Sequence, residues 1–401
     1  MTSEYFDDLE TRDPSQREER HFAELRRQIE NARADAPYFA ETLKDVDPSR
    51  VVDRAALARL PVVRKGELIE LQKKRFTERD PFGGLTAVKT SQLGRIFMSP
   101  GPIYDPEAMR PDYWRLARAL WAAGFRRGDV IHNCFSYHLT PAGAMLETGA
   151  HAIGCPVVPA GTGNTEQQVR AIADIRPAGY VGTPSFLKIL VEKAAEMSAD
   201  ASSLRLALVS GEAVPRALRG EMSENGIAMR QCYASADLGL IGYESVPDEG
   251  LILDEWLVVE IVRPGTGEAL PEGEVGEVVV TTLNPDYPLI RFGTGDLSMF
   301  VPGTSPCGRT NRRLRGWMGR ADQTTKVKGM FVHPGQVADV AKRHGIAKFR
   351  LVVTRTGDID VMTLKVEGAA EAGLEAKLAE TLLAVTKMKG AVEFVAPGTL
   401  P

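Results

Sequence analysis

The sequence predicts an α/β fold: a large N-terminal domain with βα-repeat sheets and a β-rich subdomain, followed by a small C-terminal α+β domain. Three observations support this prediction. Short apolar runs alternate with helical patterns between residues 128 and 233, which is typical of successive βα units and a mainly parallel sheet. Segment 251–302 has strand-like runs separated by Pro and Gly turns, without helical periodicity. After a basic, Gly-rich stretch at 307–322, strand and helix patterns follow one another again.

Length and charge set the domain count and exclude some partners. A chain of 401 residues exceeds what one hydrophobic core usually supports, so we expect domains at 1–321 and 322–401, with the β-rich subdomain at about 250–305. The net charge of −4 argues against a nucleic-acid or anionic-membrane partner. No apolar run reaches the ~18 residues of a spanning helix. The four cysteines form no CxxC pair and suit reduced thiols, so a cytoplasmic protein is predicted.

The N-terminal segment is predicted to form a helix that packs through one apolar face. Phe22, Leu25, Ile29 and Ala32 recur at three- and four-residue spacing within a strongly charged run. A second helix is predicted at 112–123.

The central region then alternates strands and helices. Strands are predicted at 130–131, 156–159, 179–182, 204–209 and 229–233. Helices are predicted between them, at 166–175, 185–197 and 215–225. Because ligands on such sheets lie at the carboxyl ends of the strands, the turns that follow the strands are the expected position of the chemistry.

Four segments carry the chemical signal. The first two follow predicted strands: 209–215 (VSGEAVP) and 231–237 (QCYASAD). The other two are 287–297 (YPLIRFGTGDL) and 316–329 (GWMGRADQTTKVKG). Their order, spacing and composition resemble the phenylacetate–CoA ligases, within the superfamily of acyl-CoA synthetases, peptide-synthetase adenylation domains and luciferases. The resemblance runs from about residue 60 to residue 401.

This resemblance implies an AMP-forming ligase that joins a carboxylic acid, by expectation an aryl or arylacetic acid, to coenzyme A. The carboxylate would attack the α-phosphorus of ATP, and pyrophosphate would leave. The small, mobile C-terminal domain would then rotate about Asp322, and the CoA thiolate would release AMP. The implied cofactors are ATP or AMP, Mg²⁺ and coenzyme A, and a homodimer is left open.

Three side chains carry the nucleotide part of the resemblance. Tyr233 offers a flat ring on which adenine can stack, and a core tyrosine is the alternative. Asp237 stands where relatives carry a Glu that holds Mg²⁺, and a helix N-cap is the alternative. Asp296 resembles the carboxylate that accepts hydrogen bonds from both ribose hydroxyls, and a turn residue is the alternative.

The resemblance implies four groups of site residues in total. The nucleotide-binding group is Ser99, Gly211, Glu212, Ala213, Cys232, Tyr233, Ala234, Ser235, Asp296 and Arg320. The acyl-binding group is Phe135, Tyr137, His138, Ala160, Gly161 and Thr162. The catalytic group is Asp237, Arg320, Lys326 and His138, although a structural histidine explains His138 equally well. Coenzyme A is expected at Arg313 and Gly329, where a solvated hinge surface is the alternative.

The phosphate loop departs from the family pattern. Relatives carry Ser-Ser-Gly-Thr-Thr-Gly-Lys-Pro, whereas this chain has MSPGPIYDPE at 98–107. Its prolines remove N–H donors, and Asp105 and Glu107 are expected to repel the β- and γ-phosphates. The sequence also stops before the family's loop with a catalytic Lys. Two alternatives therefore stay open: an enzyme of the thioester half-reaction alone, or a non-catalytic nucleotide- or acyl-binding module.

Overall fold

The computed structural model describes residues 4–99, 102–323, 325–327, 330–332, 334–356, 359–370 and 373–400, with side chains except at 323, 325–327, 330–331, 355–356 and 359–360. The chain divides into two compact units. The first unit comprises Met1–Arg263, Gly267–Thr294 and Met299–Trp317. The second unit comprises Pro264–Thr266, Gly295–Ser298 and Met318–Pro401.

The α-helices are α1 Pro14–Asp35, α2 Pro37–Thr42, α3 Arg54–Leu57, α4 Leu68–Arg75, α5 Leu116–Ala122, α6 Ala142–Ala152, α7 Thr165–Ile175, α8 Pro184–Glu196, α9 Arg216–Glu224, α10 Pro334–Arg343 and α11 Leu374–Thr386. The strands of the first two-thirds are β1 Val63–Arg64, β2 Leu93–Ser99, β3 Ile103–Ala108, β4 Ile131–Asn133, β5 Val157–Pro159, β6 Gly179–Gly182, β7 Leu206–Val209, β8 Ala228–Ser235, β9 Gly239–Tyr243 and β10 Leu251–Leu253. The remaining strands are β11 Leu257–Val262, β12 Gly276–Thr282, β13 Phe292–Ser298, β14 Phe300–Val301, β15 Arg313–Leu314, β16 Thr325–Val327, β17 Met330–Val332, β18 Phe349–Thr356, β19 Ile359–Glu367 and β20 Ala391–Val395.

A nine-stranded mixed sheet organises the first unit, in the order β14-β15-β10-β9-β8-β7-β6-β4-β5. The strands β5, β4, β6, β7 and β8 run parallel, with α7, α8 and α9 in the connections between them. From β8 onward the pairs are antiparallel. The predicted βα repeats and parallel sheet are therefore confirmed.

The predicted N-terminal helix is confirmed. Helix α1 begins with Pro14 at its first position, and the carboxylate of Asp13 accepts hydrogen bonds from the amides of Ser15 and Gln16. Its four patterned apolar residues, 22, 25, 29 and 32, are all buried, at 2% exposure or less.

Two helices differ from the prediction. Helix α5 begins at Leu116, not at residue 112, because Asp112 and Arg115 have φ angles of 45° and 66°, outside the helical region. Helix α6 was missed in the sequence, because its residues are mostly small. A Cβ at Gly149 would lie 2.8 Å from the Cβ of Leu116, so this glycine allows α6 to approach α5 closely.

The segment predicted as a β-rich subdomain contributes to two sheets. Strands β11, β12 and β13 form a four-stranded sheet with β1, and β11 and β12 pair antiparallel. Strands β10 and β14 instead extend the nine-stranded sheet.

The second unit contains the hairpin β16–β17, the sheet β18-β19-β20 and the helices α10 and α11. Val340, Leu364, Leu378 and Leu382 lie in its hydrophobic core, each at 0% exposure. Along the described part of the chain, no helix is both long and apolar enough to cross a membrane.

Candidate active site

The turn after β7 carries the first predicted nucleotide segment. Gly211 has a φ of 82°, a conformation that glycine adopts without strain. The carboxylate of Glu212 accepts hydrogen bonds from the hydroxyl and the amide of Ser185, at 2.9 and 3.3 Å, in the first turn of α8. Glu212 therefore fixes this turn, while Gly211 and Ala213 are exposed beside it.

The end of β8 carries the second segment. The ring of Tyr233 is half-buried and packs partly against the core, with Ala234 and Ser235 also half-buried beside it. Burial raises the pKa of the Cys232 thiol to about 12, which fits a structural residue. A turn leads from β8 directly into β9, so the helix N-cap alternative for Asp237 is wrong.

Asp237 lies in a cluster with the buried Asp105 and the partly exposed Lys65. Its Oδ2 accepts a hydrogen bond from the Lys65 ammonium at 2.6 Å, and its side chain is 0% exposed. Among the described residues, neither its Oδ1 nor the two carboxylate oxygens of Asp105 has a hydrogen-bond partner. Burial and the nearby charge of Asp237 raise the pKa of Asp105 to about 8. Lys65 was not singled out in the sequence, because 172 positions separate it from Asp237 and only the fold brings the two side chains together.

This cluster does not fit a Mg²⁺ site. Mg²⁺ requires several oxygen ligands in octahedral geometry and usually keeps bound water. Here the Lys65 ammonium holds one oxygen of Asp237 at 2.6 Å, and the neighbouring Asp105 is fully buried. Within the described ranges, no three His, Cys, Asp or Glu side chains are grouped closely enough to hold a metal ion. No residue of this cluster is therefore assigned to a metal.

The segment aligned with the phosphate loop forms a β-hairpin, β2 with β3. Ser99 is buried, and its hydroxyl donates to the carbonyl of Ile103 at 3.3 Å, which argues against the predicted contact with a nucleotide. Asp105 and Glu107 are 0% and 3% exposed, and Glu107 accepts a hydrogen bond from the Trp114 indole at 2.6 Å. The expected direct repulsion of phosphates by these two acids is therefore wrong, because both lie inside the fold. Residues 100 and 101 lie outside the described residues.

Tyr137 is held in one orientation at the predicted acyl pocket. Its hydroxyl donates to Glu147 and accepts from the amide of Asn133, each at 2.8 Å. The ring lies over Gly143, where a Cβ would lie 2.8 Å from a ring carbon. Phe135 is buried in the core, whereas His138 is exposed and its amide bonds to the hydroxyl of Ser136. A fixed aromatic ring at this position suits an aromatic ligand.

The loop at 160–163, also predicted to contact the acyl group, depends on a residue that the sequence did not reveal. The buried side chain of Gln168 donates to the carbonyls of Gly161 and Gly163, at 3.0 and 2.7 Å. Its carbonyl oxygen accepts from His132 Nε2 at 3.0 Å and from the Cys134 thiol at 3.1 Å. Gln168 thus joins β4 to the loop, while Ala160 is half-buried and Thr162 exposed.

The second unit holds the predicted ribose and phosphate residues next to each other. The Arg320 guanidinium donates to Asp296 at 3.0 Å, and it also lies 3.5 Å from Asp322. A Cβ at residue 295 would lie 2.6 Å from Arg320 Nη2, so Gly295 allows this approach. Burial lowers the pKa of Arg320, but the carboxylates of Asp296 and Asp322 outweigh this effect and raise it. The pair is therefore a charged, partly exposed site.

The predicted CoA residues are not supported. The guanidinium of Arg313 is buried and donates to the carbonyls of Glu249, Pro302 and Thr304. This contradicts the expectation for Arg313, because a phosphate cannot reach a guanidinium that holds together the loops around β15. Gly329 lies outside the described residues, and Lys326 is described in its backbone only, as part of β16.

These features define a nucleotide-binding α/β protein with Gly-bearing turns at the carboxyl ends of a parallel sheet and a separate Asp–Arg pair. Residues 112–284 match the family described as AMP-binding enzyme. The phenylacetate–coenzyme A ligase of Thermus thermophilus is 33% identical over 82% of this chain and 77% of its own length. The phenylacetate–coenzyme A ligase of Aromatoleum evansii is 30% identical over 92% of this chain and 86% of its own length.

A solved structure shares the fold. The open conformation of a 2-hydroxyisobutyryl-CoA ligase, in complex with its acyl-AMP and CoA, has a TM-score of 0.86 at 24% identity and covers 100% of this chain and 92% of that one. The chain belongs to the AMP-binding enzyme family, as a member similar to the phenylacetate–CoA ligases. It is accordingly an AMP-forming acid–thiol ligase that uses ATP and CoA, and the alternative of a half-reaction enzyme or non-catalytic module is not favoured.

Proposed function

We propose that this chain joins an aryl or arylacetic acid to coenzyme A through an acyl-adenylate. The observation that carries the proposal is the Asp296–Arg320 pair, found in a chain whose curated relatives are named phenylacetate–coenzyme A ligases. The fixed ring of Tyr137 supports an aromatic acid over a short aliphatic one. A cytoplasmic location stays a prediction from the sequence, and a homodimer stays open.

Each half-reaction has a defined balance of bonds. In the first, a carboxylate oxygen of the acid attacks the α-phosphorus, and the bond to pyrophosphate breaks. In the second, the CoA thiolate attacks the acyl carbon, and AMP leaves. We assign Asp296 to the two ribose hydroxyls, since its two oxygens match a cis-diol, and Arg320 to the adjacent ribose or phosphate. Tyr233 is assigned to stacking on adenine.

The remaining roles follow from position and from the resemblance. Gly211, Glu212 and Ala213 would border the adenine through backbone groups, with the turn fixed by the Glu212 contact to α8. Asp322 is proposed as the hinge and Lys326 as a catalytic residue of the second half-reaction. His138 is proposed beside the carboxylate of the acid, where its exposure leaves the imidazole accessible.

Calorimetry of AMP binding tests this assignment. Asp296→Ala should weaken AMP binding by about 10- to 100-fold, because it removes hydrogen bonds to a charged group. Asp322→Ala is the matched control: it removes the other carboxylate beside Arg320 and should change affinity by less than about threefold. Both variants should melt within about 3 °C of the wild type. Equal AMP affinity in the wild type and Asp296→Ala would make Asp296 a structural turn residue and contradict the assignment.

A further inference from the structure

The cluster of Lys65, Asp105 and Asp237 has an unusual distribution of charge. Two carboxyl groups lie together inside the first unit, both with side chains at or near 0% exposure. The cluster contains one cationic side chain, Lys65, which keeps 29% of its side chain exposed. Lys65 is therefore the partly exposed side chain of the cluster, whereas both carboxyl groups are buried.

The contact between Lys65 and Asp237 has the geometry of a strong, charge-assisted hydrogen bond. The Nζ–Oδ2 distance of 2.6 Å is at the short end for such pairs. A carboxylate taken out of water needs a compensating charge, and either an ammonium or a metal ion can supply it. The two compete for the same carboxylate, so an occupied Lys65–Asp237 pair leaves Asp237 unavailable to a metal.

The second carboxyl group does not restore a metal site. Asp105 lies on β3 in the segment aligned with the phosphate loop, and its two oxygens have no hydrogen-bond partner among the described residues. Deprotonating Asp105 would put a second buried negative charge beside Asp237, which one ammonium cannot neutralise. Within the described ranges, no third His, Cys, Asp or Glu side chain joins these two carboxyl groups closely enough to complete a metal site.

We propose that the Lys65 ammonium takes the place of a metal ion at Asp237, so that this chain binds the adenylate without a protein-bound Mg²⁺. The inference rests on the proposed adenylate function. Lys65 acts as a positioning residue, since it holds the carboxylate at the end of β8 in a fixed, neutralised state. A Mg²⁺ ion carried by ATP itself would then have no ligand from Asp237.

The first experiment measures AMP binding to the wild-type chain by calorimetry, in excess EDTA and in excess MgCl₂. The two dissociation constants should agree within about twofold. Binding at least about tenfold weaker in EDTA would overturn the inference, because a resident metal would then contribute to the site. No AMP binding in either buffer would instead contradict the adenylate function on which the inference rests, so the two failures are distinguishable.

The second experiment uses Mn²⁺ alone and measures the melting temperature. Wild type and Asp237→Asn should respond equally to Mn²⁺, since Asp237 is not a metal ligand. A rise in the wild type that Asp237→Asn abolishes would overturn the inference. If Asp237→Asn does not fold, the comparison of AMP affinities of the wild type in EDTA and in MgCl₂ still tests the inference.

A double-variant cycle tests the pair itself. Lys65→Met leaves a buried carboxylate without compensation, so it should melt well below the wild type. Lys65→Met combined with Asp237→Asn should melt above Lys65→Met alone, because the uncompensated charge is gone. Lys65→Arg keeps the charge and should stay closest to the wild type. If the changes in melting temperature of the two single variants simply add in the double variant, Lys65 and Asp237 are not coupled, and the proposal is contradicted.

Discussion

Asp105 is a carboxyl group that the fold keeps protonated at neutral pH. The groups that face it are the carboxylate of Asp237, the ammonium of Lys65, the hydroxyl of Ser99 and the phenol of Tyr287. Burial is the main cause of its raised pKa, and the charge of Asp237 adds to it. Since the ordinary value is 3.8 and the folded value is about 8, the folded state holds a proton that the unfolded state releases between these values.

This difference predicts a pH dependence of stability. The stability that protonated Asp105 adds to the folded state is fully present below pH 3.8. It is lost as pH rises toward 8, because the folded state binds more protons than the unfolded state in this window. The free energy of unfolding should fall by on the order of 6 kcal/mol across it, since each pKa unit corresponds to about 1.4 kcal/mol. Asp105→Asn should remove this slope, and at pH 9 the variant should be more stable than the wild type. Denaturant titrations at several pH values measure the effect.

The matched control for this prediction is Asp45→Asn, which neutralises an exposed aspartate. It should keep the wild-type slope. Burial also raises the pKa of Asp112, to about 7, but Asp112 is present in all three proteins and its contribution cancels. Identical slopes in Asp105→Asn and the wild type would show that Asp105 is ionised in the folded state.

Single residues show which parts of the site a sequence can reveal. Asp296 and Arg320 were predicted from motifs, and the fold brings them to 3.0 Å. Lys65 was missed because its partner lies far away in the chain. Arg313 was assigned to CoA from the family resemblance, yet its guanidinium donates to backbone carbonyls. Tertiary contacts of this kind leave no periodic pattern in the sequence.

At the scale of elements, periodicity predicted the central units well. The observed bounds of α7, α8 and α9 lie within two residues of the predicted ones. Helix α6 was missed because its sequence is rich in Gly and Ala, which give little contrast between apolar and polar faces. The start of α5 was misplaced because two left-handed residues precede it, a feature that only turn chemistry could indicate.

Gln168, on α7, connects this helix to β4 and to the loop at 160–163, and its removal should be costly. Gln168→Met keeps the length of the side chain but leaves His132 and two loop carbonyls without their partner. The free energy of unfolding should fall by about 2–3 kcal/mol, which lowers the melting temperature by roughly 4–8 °C. Gln167→Met, at the neighbouring exposed position, is the control and should change the melting temperature by less than about 2 °C. Equal effects would show that the four contacts of Gln168 contribute no net stability.

At the scale of the whole molecule, the two units divide the predicted chemistry between them. Tyr233, Asp237 and the acyl-side residues belong to the first unit, and Asp296, Arg320 and Asp322 to the second. The fold class could be predicted because βα repeats and family motifs occur along the same chain. The structure of the segment aligned with the phosphate loop could not be predicted from the sequence. Its residues form a hairpin, and its acidic side chains are buried in the protein interior.

The most direct test of the account is a product assay with the 401-residue chain, ATP, Mg²⁺, coenzyme A and a panel of phenylacetate, benzoate and acetate. We expect AMP and the acyl-CoA thioester in equal amounts, formed only when both an acid and CoA are present. The aryl acids should react at least about tenfold faster than acetate, a difference of about 1.4 kcal/mol in transition-state binding. ADP as the nucleotide product, or AMP release that does not depend on the acid, would contradict the account.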